Sequence, residues 1–389
     1  MGDIEQPTVT IKVVGSISAI DRDGWDSCAG GGNPFIRHAF LQALEDSGSA
    51  TAETGWAPYH VVIEDGDGRL IGGAPMYVKS HSQGEYIFDH AWAHAYEQAG
   101  GRFYPKLLIA VPFTPATGPR LLVRPGQDCA GVESKLVAGA LEAARQIKVS
   151  SLNINFPTEG EWRRLGDAGF LRRTGEQFHW LNDNYGTFDD FLGALSSRKR
   201  KTIRRERRET NFPGIAIETL TGSDITEVHW DAFFRFYIDT GNRKWGRPYL
   251  TRDFFSMIGE TMPENVVLIM AKRAGAYIAG ALNLVGSDAI FGRNWGCIED
   301  HPFLHFEICY YRAIDYAIAH GLARVEAGAQ GPHKLSRGYL PTHTYSAHWI
   351  RDKGFRDAVA NYLERERSEV DHDIDMLDGF SPFKKSEDA

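Results

Sequence analysis

The chain is poor in cysteine, and the four it has are not placed to work together. Cys28, Cys129, Cys297 and Cys309 lie far apart without paired spacing, which argues against a disulfide framework or a zinc knuckle and for reduced thiols. No apolar run approaches the roughly 20 residues that a bilayer requires. The stretch KLLIAVPF at 106–113 is interrupted by Pro112 and followed by Pro115, so no membrane insertion is expected. An excess of positive charge is missing too. The net charge of −8 argues against general coating of nucleic acid and leaves room only for a local basic site. The opening MGDIEQPTVTIKVV has no basic region followed by an apolar one, and it has Gln6 where myristoylation needs Ser or Thr; a cytoplasmic location is the expectation. There is no GxSxG elbow, no GxxxxGK[ST] loop and no GxGxxG after a strand, which removes three familiar catalytic and nucleotide-binding readings.

What is present is enough apolar material, 42% of 389 residues, to bury a large core in two packed domains. The pattern of elements is that of an α/β (α+β) protein, and it is repeated. Residues 61–78 align without gaps on 268–285, with identities at Gly68/Gly275, Ile71/Ile278, Gly73/Gly280, Ala74/Ala281 and Val78/Val285. Each hairpin precedes an amphipathic helix, at about 132–147 and 303–320, and then a short apolar run at 151–156 and 323–329. Two similar lobes are therefore expected, 1–185 and 186–389. Asn33-Pro34 reads as a helix cap and first turn before a helix over 35–47, and 107–113 with 119–125 reads as a strand pair.

Three features could carry chemistry. Within the segment 196–209, residues 198–208 put eight cations into eleven residues, offset among them by Glu206 alone. As a helix it would set Lys201, Arg204, Arg205 and Arg208, with Arg198 nearby, along a face able to meet phosphates; a solvated surface helix is the alternative. The stretch 289–338 runs strand, loop, helix, strand, loop. It gathers Arg293, Trp295, His305, Glu307, Glu326, Gln330, His333, Lys334 and Arg337 where strands give way to loops, although Glu326 could equally serve a structural ion pair. Arg293, Trp295, His305, Glu307 and Gln330 are candidates for substrate contact. Glu326 or His333 could act as a base, and Lys334 or Arg337 could meet an oxyanion or phosphate. Third, His90 and His94 are four apart in FDHAWAHAYE. Ala91 stands where the zinc-protease spacing needs Glu, so substrate lining or packing by His90, Trp92 and Tyr96 is expected and no metal.

Four long blocks, at 33–48, 88–122, 177–208 and 291–339, resemble a bacterial family described as FemAB-like, of peptidoglycan biosynthesis or recognition, within the GNAT acyltransferase superfamily. The resemblance implies tandem GNAT-like lobes, each a mixed central sheet flanked by helices. It implies an N-acyltransferase that moves an acyl or aminoacyl group to an amine acceptor such as a cell-wall precursor, from acyl-CoA or from a charged tRNA. A non-catalytic module that binds a peptidoglycan precursor or a protein is the competing reading. The chain departs from the acyl-CoA pattern Gln/Arg-x-x-Gly-x-Gly/Ala. At 127–132 the glycine positions are not filled as the pattern asks, and the loop Glu299-Asp300-His301-Pro302 is acidic and lacks glycine, a poor seat for a pyrophosphate.

Overall fold

The computed structural model describes residues 9–210, 214–244, 248–329 and 331–384. Its first elements are β1 (Thr10–Val14), α1 (Arg22–Ala29), α2 (His38–Asp46), β2 (Trp56–Pro58), β3 (His60–Glu64), β4 (Leu70–Ala74) and β5 (Met76–Lys79). Next come α3 (His90–Gln98), β6 (Lys106–Ile109), β7 (Leu122–Val123), α4 (Cys129–Gln146), β8 (Ser151–Asn155), α5 (Glu159–Asp167) and β9 (Leu171–Leu181). They continue as α6 (Phe188–Ala194), α7 (Ser197–Thr210), β10 (Ile215–Thr221), α8 (Glu227–Lys244), α9 (Arg252–Thr261), β11 (Val266–Arg273), β12 (Ala276–Val285) and β13 (Ala289–Cys297). The last are a single turn, α10 (Leu304–Phe306), a π-helical segment (Glu307–Tyr311), α11 (Arg312–Ala319), β14 (Arg324–Glu326), β15 (Leu340–Ile350) and α12 (Lys353–Asp378).

Two compact units are interleaved along the chain: Met1–Gly175 with Thr344–Glu369, and Glu176–His343 with Val370–Ala389. This differs from a contiguous division at 185/186, because β9 and β15 each begin in one unit and end in the other.

In the first unit β1, β3, β4 and β7 form an antiparallel sheet. A second sheet runs β2, β5, β6, β8 and the end of β15, with β6 and β8 parallel and the other pairs antiparallel. A parallel pair cannot be joined by a tight turn, and α4 lies in the crossover. Its Val132, Leu136, Ala140 and Ala143 recur at helical spacing and are buried with Val61, Ile63 and Ile71, so one stripe of α4 is core.

The second unit builds β10, β11, β12 and β13 as an antiparallel meander. The chain then crosses through 304–319 to β14, parallel to β13, and β9 closes antiparallel on β14. Both units thus follow the order expected from the repeat: antiparallel strands, crossover helix, parallel strand. Gly68 and Gly275 both take positive φ, 78° and 82°, in the turns of the matched hairpins, where a side chain would be strained. The first unit differs in one respect. Pro75, lacking an N–H, separates β4 from β5, so that hairpin feeds two sheets instead of one.

Asn33 caps as expected, accepting from the Phe35 N–H at 2.9 Å. The helix it starts is first a 3₁₀ turn, Pro34–Ile36, and α2 begins only at His38. The segments 107–113 and 119–125 do not pair with each other: β6 pairs with β5 and β8, and β7 with β4.

His348 on β15 is buried, with Nδ1 at 2.8 Å from Asn153 Oδ1 and Nε2 at 2.9 Å from Ser346 Oγ. Burial, and then the nearby Arg173 charge, pull its pKa from 6.5 to about 3. The folded ring stays neutral where the unfolded one would protonate. Its contribution is therefore complete above pH 6.5 and is lost as pH falls from there towards 3, by an amount on the order of 5 kcal/mol. Glu85, whose carboxyl is raised to about 7 by burial, acts with the opposite sign between pH 7 and its ordinary value. Denaturant midpoints of the wild type and of His348→Gln, measured from pH 7 to 4, isolate the histidine: the variant should lose less stability on acidification. Parallel curves would exclude His348 as the source.

Candidate functional site

β13 and β14 pair over only three positions, Ala289↔Arg324, Ile290↔Val325 and Phe291↔Glu326. β13 then runs on against β12 to Cys297, through a register shift that leaves Arg293 with no residue opposite, a β-bulge. Where the strands part, a cavity of about 90 Å³ opens, lined by Ala281, Leu282, Asn283, Gly292, Arg293, Asn294, Trp295, His305, Cys309, Tyr310 and Ala327. The carboxyl ends of strands at such a parting are where α/β folds place ligands.

The crossover helix supplies one wall. Its π segment sends consecutive tyrosines to different partners. Tyr310 pairs its hydroxyl with His333 Nε2 at 2.9 Å, and Tyr311 donates to Glu206 of α7. Arg337 grips the same Glu206 through Nε at 3.2 Å and a terminal nitrogen at 2.9 Å. Its other terminal nitrogen donates to the His333 carbonyl at 2.9 Å, and the guanidinium lies 3.4 Å from the Phe306 ring centroid. Partial burial, with Arg337 and Lys334 nearby, lowers the His333 pKa below its ordinary 6.5. Burial raises Tyr310, which stays protonated. Lys334 is buried, donates to the Gly328 carbonyl at 2.8 Å, and is pushed by burial down to about 8.

The expected site residues are distributed as follows. Arg293, Trp295 and His305 line the cavity together. His333 stands one hydrogen bond behind it. Glu326 is buried; Oε1 accepts from Arg324 Nε at 2.9 Å, while Oε2 has no hydrogen-bond partner among the described residues and lies 3.8 Å from His179 Nε2. Arg337 is held in a buried ion pair with Glu206, and the buried Glu307 carboxylate is held by the partly exposed Arg207 at 3.0 Å and Arg312 at 2.8 Å. Gln330 lies outside the described residues. His90, Trp92 and Tyr96 belong to the first unit. There His90 is exposed, Trp92 packs against His348 and Arg173, and Tyr96 stacks on Phe355 at 4.5 Å.

The basic segment is helical, as α7. Arg198, Lys201, Arg204, Arg205 and Arg208 are exposed, while Ile203, Glu206 and Thr210 are buried on the other side. Glu206 is therefore no offset to the exposed charge, as its place in the run suggests; it is the buried anchor of the helix. Asn283, Asn294, Cys309 and Tyr310, which also line the cavity, were not among the expected residues. Asn283 carried a signal, an amide inside the apolar run ALNLV.

The first unit also holds a charge cluster that the sequence left unmarked. Lys106, fully buried, donates to Glu85 and Ser82 at 2.8 Å each and to Asp89. Lys79, also fully buried, sits 3.6 Å from the centroid of the Trp56 ring, and burial lowers it to about 7. Removing one member of a buried pair leaves the rest uncompensated.

A mixed sheet built twice, each time with a crossover helix into a parallel strand, defines a tandem GNAT-like α/β protein. The chain belongs to the FemAB-like family, described as peptidoglycan biosynthesis/recognition, whose pattern matches residues 16–385. Among solved structures it is similar to FemX, at 13% identity and a TM-score of 0.55 over 90% of this chain and 100% of that one. It is also similar to the C-terminal domain of a putative lysylphosphatidylglycerol synthetase from Agrobacterium fabrum, at 11% identity and a TM-score of 0.53 over 89% and 96%. A tandem GNAT protein from the clavulanic acid pathway aligns at 12% identity and a TM-score of 0.48 over 88% and 98%. At these identities the likeness to FemX and the Agrobacterium domain is one of fold. No curated protein matches the chain. Among the described residues no helix is long and apolar enough to cross a membrane, and no group of three or more His, Cys, Asp or Glu could hold a metal ion.

Two variants test this sorting of charge. Lys106→Met should lower unfolding free energy by about 3–5 kcal/mol. Reversing the exposed Lys201, Arg204 and Arg205 to Glu should cost no more than about 0.5 kcal/mol each. Urea unfolding checks both; comparable losses would contradict the burial assignments.

Proposed function

We propose that the chain transfers an aminoacyl group from a charged tRNA to an amine of a peptidoglycan precursor, with the fork of the second unit as the reaction site. The observation that carries this reading is the hydrogen bond from the cavity-lining Tyr310 to His333, which gives a proton a path out of the fork. The acceptor amine arrives as an ammonium ion and must lose a proton before it can attack. The His333 ring, neutral above its lowered pKa, takes the Tyr310 proton while the phenol oxygen takes one from the amine. Because His333 is exposed, it passes that proton to water. The nitrogen then bonds to the carbonyl carbon, and Arg293 stabilises the oxyanion. When the ester C–O bond breaks, the departing oxygen takes the amine's second proton. Glu326 is less suited to the role of base, since one of its oxygens is already bound to Arg324.

The electrostatics favour tRNA over acyl-CoA as donor. The loop before the crossover helix carries Glu299 and Asp300, and hydrogen bonds from Arg273 and His301 hold Glu299 down at about 2. An anionic carboxylate there repels a pyrophosphate. On α7 the exposed cations offer what a phosphate backbone needs.

Transfer assays with aminoacyl-tRNA and, in parallel, acetyl-CoA test the reading. Tyr310→Phe and His333→Gln should each lower kcat by at least about a hundredfold without lowering Tm. The wild-type rate should fall as pH drops below 6.5, because His333 must be neutral, and His333→Gln should lose that limb. Reversing Lys201, Arg204 and Arg205 should reduce the slope of log affinity against log salt by roughly 2–3 for tRNA. Saturable precursor binding with no transfer from either donor would instead identify a recognition protein.

A further inference from the structure

A larger cavity, of about 230 Å³, opens in the first unit between the start of α1, the turn joining β3 to β4, and the chain after β7. Val14, Ile20, Val62 and Leu70 give it apolar wall, and four charged residues, Asp21, Glu64, Arg69 and Arg124, share its lining. Among the described residues no ion pair joins any two of the four. Three of them are held elsewhere. Arg124 donates from Nε to the Leu70 carbonyl at 2.6 Å and from Nη2 to the Gly24 carbonyl at 3.4 Å. Asp21 caps α1, its Oδ2 accepting from the Gly24 N–H at 2.6 Å, and Glu64 Oε2 accepts from Lys12. Arg69, exposed on the turn, has no side-chain partner among the described residues.

A guanidinium has five N–H donors and a carboxylate two oxygens, so Arg124 Nη1, Asp21 Oδ1, Glu64 Oε1 and the whole Arg69 head remain to be matched. The two cations bear on one place. Burial raises the Cys28 thiol, 3.8 Å from the Leu70 carbonyl, to about 11, and the charges of Arg124 and Arg69 both pull it the other way. An anion in this cavity would meet two arginines but be repelled by two carboxylates, and a cation would meet the reverse. Only an occupant carrying both signs pairs with all four. Gly24 sets the span: Asp21 takes its N–H and Arg124 its carbonyl, so the two charges stand at either end of one residue. The ammonium and carboxylate of a free α-amino acid are likewise one residue apart. The volume agrees, being far above the roughly 10–15 Å³ that one water needs and below the roughly 300–1,000 Å³ of pockets for drug-sized ligands.

We propose that this cavity is a second ligand site, which takes a free α-amino acid with an aliphatic side chain. The ligand carboxylate is held by Arg124 Nη1 and by Arg69, whose exposed side chain swings in from the turn. The ligand ammonium is held by Asp21 Oδ1 and Glu64 Oε1, and the aliphatic group lies on Val14, Ile20, Val62 and Leu70. Gly24 keeps the seat in shape: a Cβ there would stand 2.8 Å from Asp21 Oδ2 and 3.3 Å from the Leu70 Cβ, forcing α1 away from β4. No bond forms or breaks at this site, and it does not depend on the transfer reading above.

The whole purified chain is titrated with leucine, 4-methylpentanoate, 3-methylbutylamine and glycine, followed by NMR. Leucine should bind saturably. The second and third probes each lack one of its charges and glycine lacks its apolar group, so each should bind about tenfold more weakly or worse. Two variants locate the binding. Asp21→Asn removes a charge but keeps a good helix cap, and Arg69→Gln alters only an exposed side chain, so melting curves should stay at the wild-type position while leucine weakens about tenfold in each. Binding of 4-methylpentanoate as tight as leucine would make this an anion site, and equal binding of 3-methylbutylamine a cation site; either overturns the proposal. Equal binding of glycine, no saturable leucine binding, or unchanged leucine affinity in either variant would overturn it as well.

Discussion

The second unit depends on the carboxylate of Glu206. It is buried in a helix otherwise crowded with cations, and it receives Arg337 from the loop after β14 and Tyr311 from the π segment. A lone carboxylate at that depth would be strongly unfavourable; with a two-pronged guanidinium and a phenol it becomes a joint between three elements. The consequence reaches the cavity through Arg337, whose remaining nitrogen holds the His333 carbonyl and whose face stacks on Phe306. His333 in turn fixes Tyr310. The Tyr310–His333 pair is thus oriented by an ion pair that is not among the residues lining the cavity, and the same ion pair docks the basic helix.

One helix carries two kinds of arginine that composition cannot separate. Arg207 is drawn inward to Glu307 and Asp315 and lies over Phe188, while Arg204 and Arg205 reach only exposed carboxylates, Asp189 and Glu209. The difference is geometric. Ile203, Glu206 and Thr210 set the docked face at spacings of three and four, and Arg207, one step from Glu206, falls at its edge. The exposed side is left with charge that is paired only at the surface, the condition under which a phosphate backbone can recruit it.

Much of the fold was legible because hairpins and crossovers leave periodic traces. The pairing of Gly68 with Gly275 pointed to two turns that both need positive φ, and the two apolar runs after the helices became β8 and β14. The interleaving of the units was not legible, since nothing local in 171–181 or 340–350 says which sheet a strand will join. Pattern also could not separate 107–113 from 119–125, because pairing is decided by partners distant in sequence. In the site, Arg293, Trp295 and His305 were readable from their place at the end of a strand. Glu206 was misread because a single acid among eight bases looks like compensation until burial is known. Lys79 and Lys106 escaped notice for the same reason: a lysine beside an apolar run normally extends to water, and only the fold encloses them with Glu85 and Asp89.

The π segment explains why the crossover helix can serve two sides at once. In an unbroken α-helix Glu307 and Tyr311, four apart, share a face, and Tyr310 lies 100° away from Tyr311 on a regular wheel. Glu307 and Tyr311 are both spent on α7 and its partners. The wider π turn shifts the register between these anchors and α11, whose Ala313, Ile314 and Ala317 must still meet the core. A regular helix could meet the anchors or the core stripe in register, with Tyr310 turned wherever that left it. Inserting the extra residue lets α7 be gripped, the core be filled, and the Tyr310 hydroxyl still face His333. Such bulges cost regular hydrogen bonding and recur at functional positions. Here the π turn lies between the pairs Arg207–Glu307 and Arg337–Glu206 that tie it to α7, so the charge cluster and the irregular helix together orient the Tyr310 phenol.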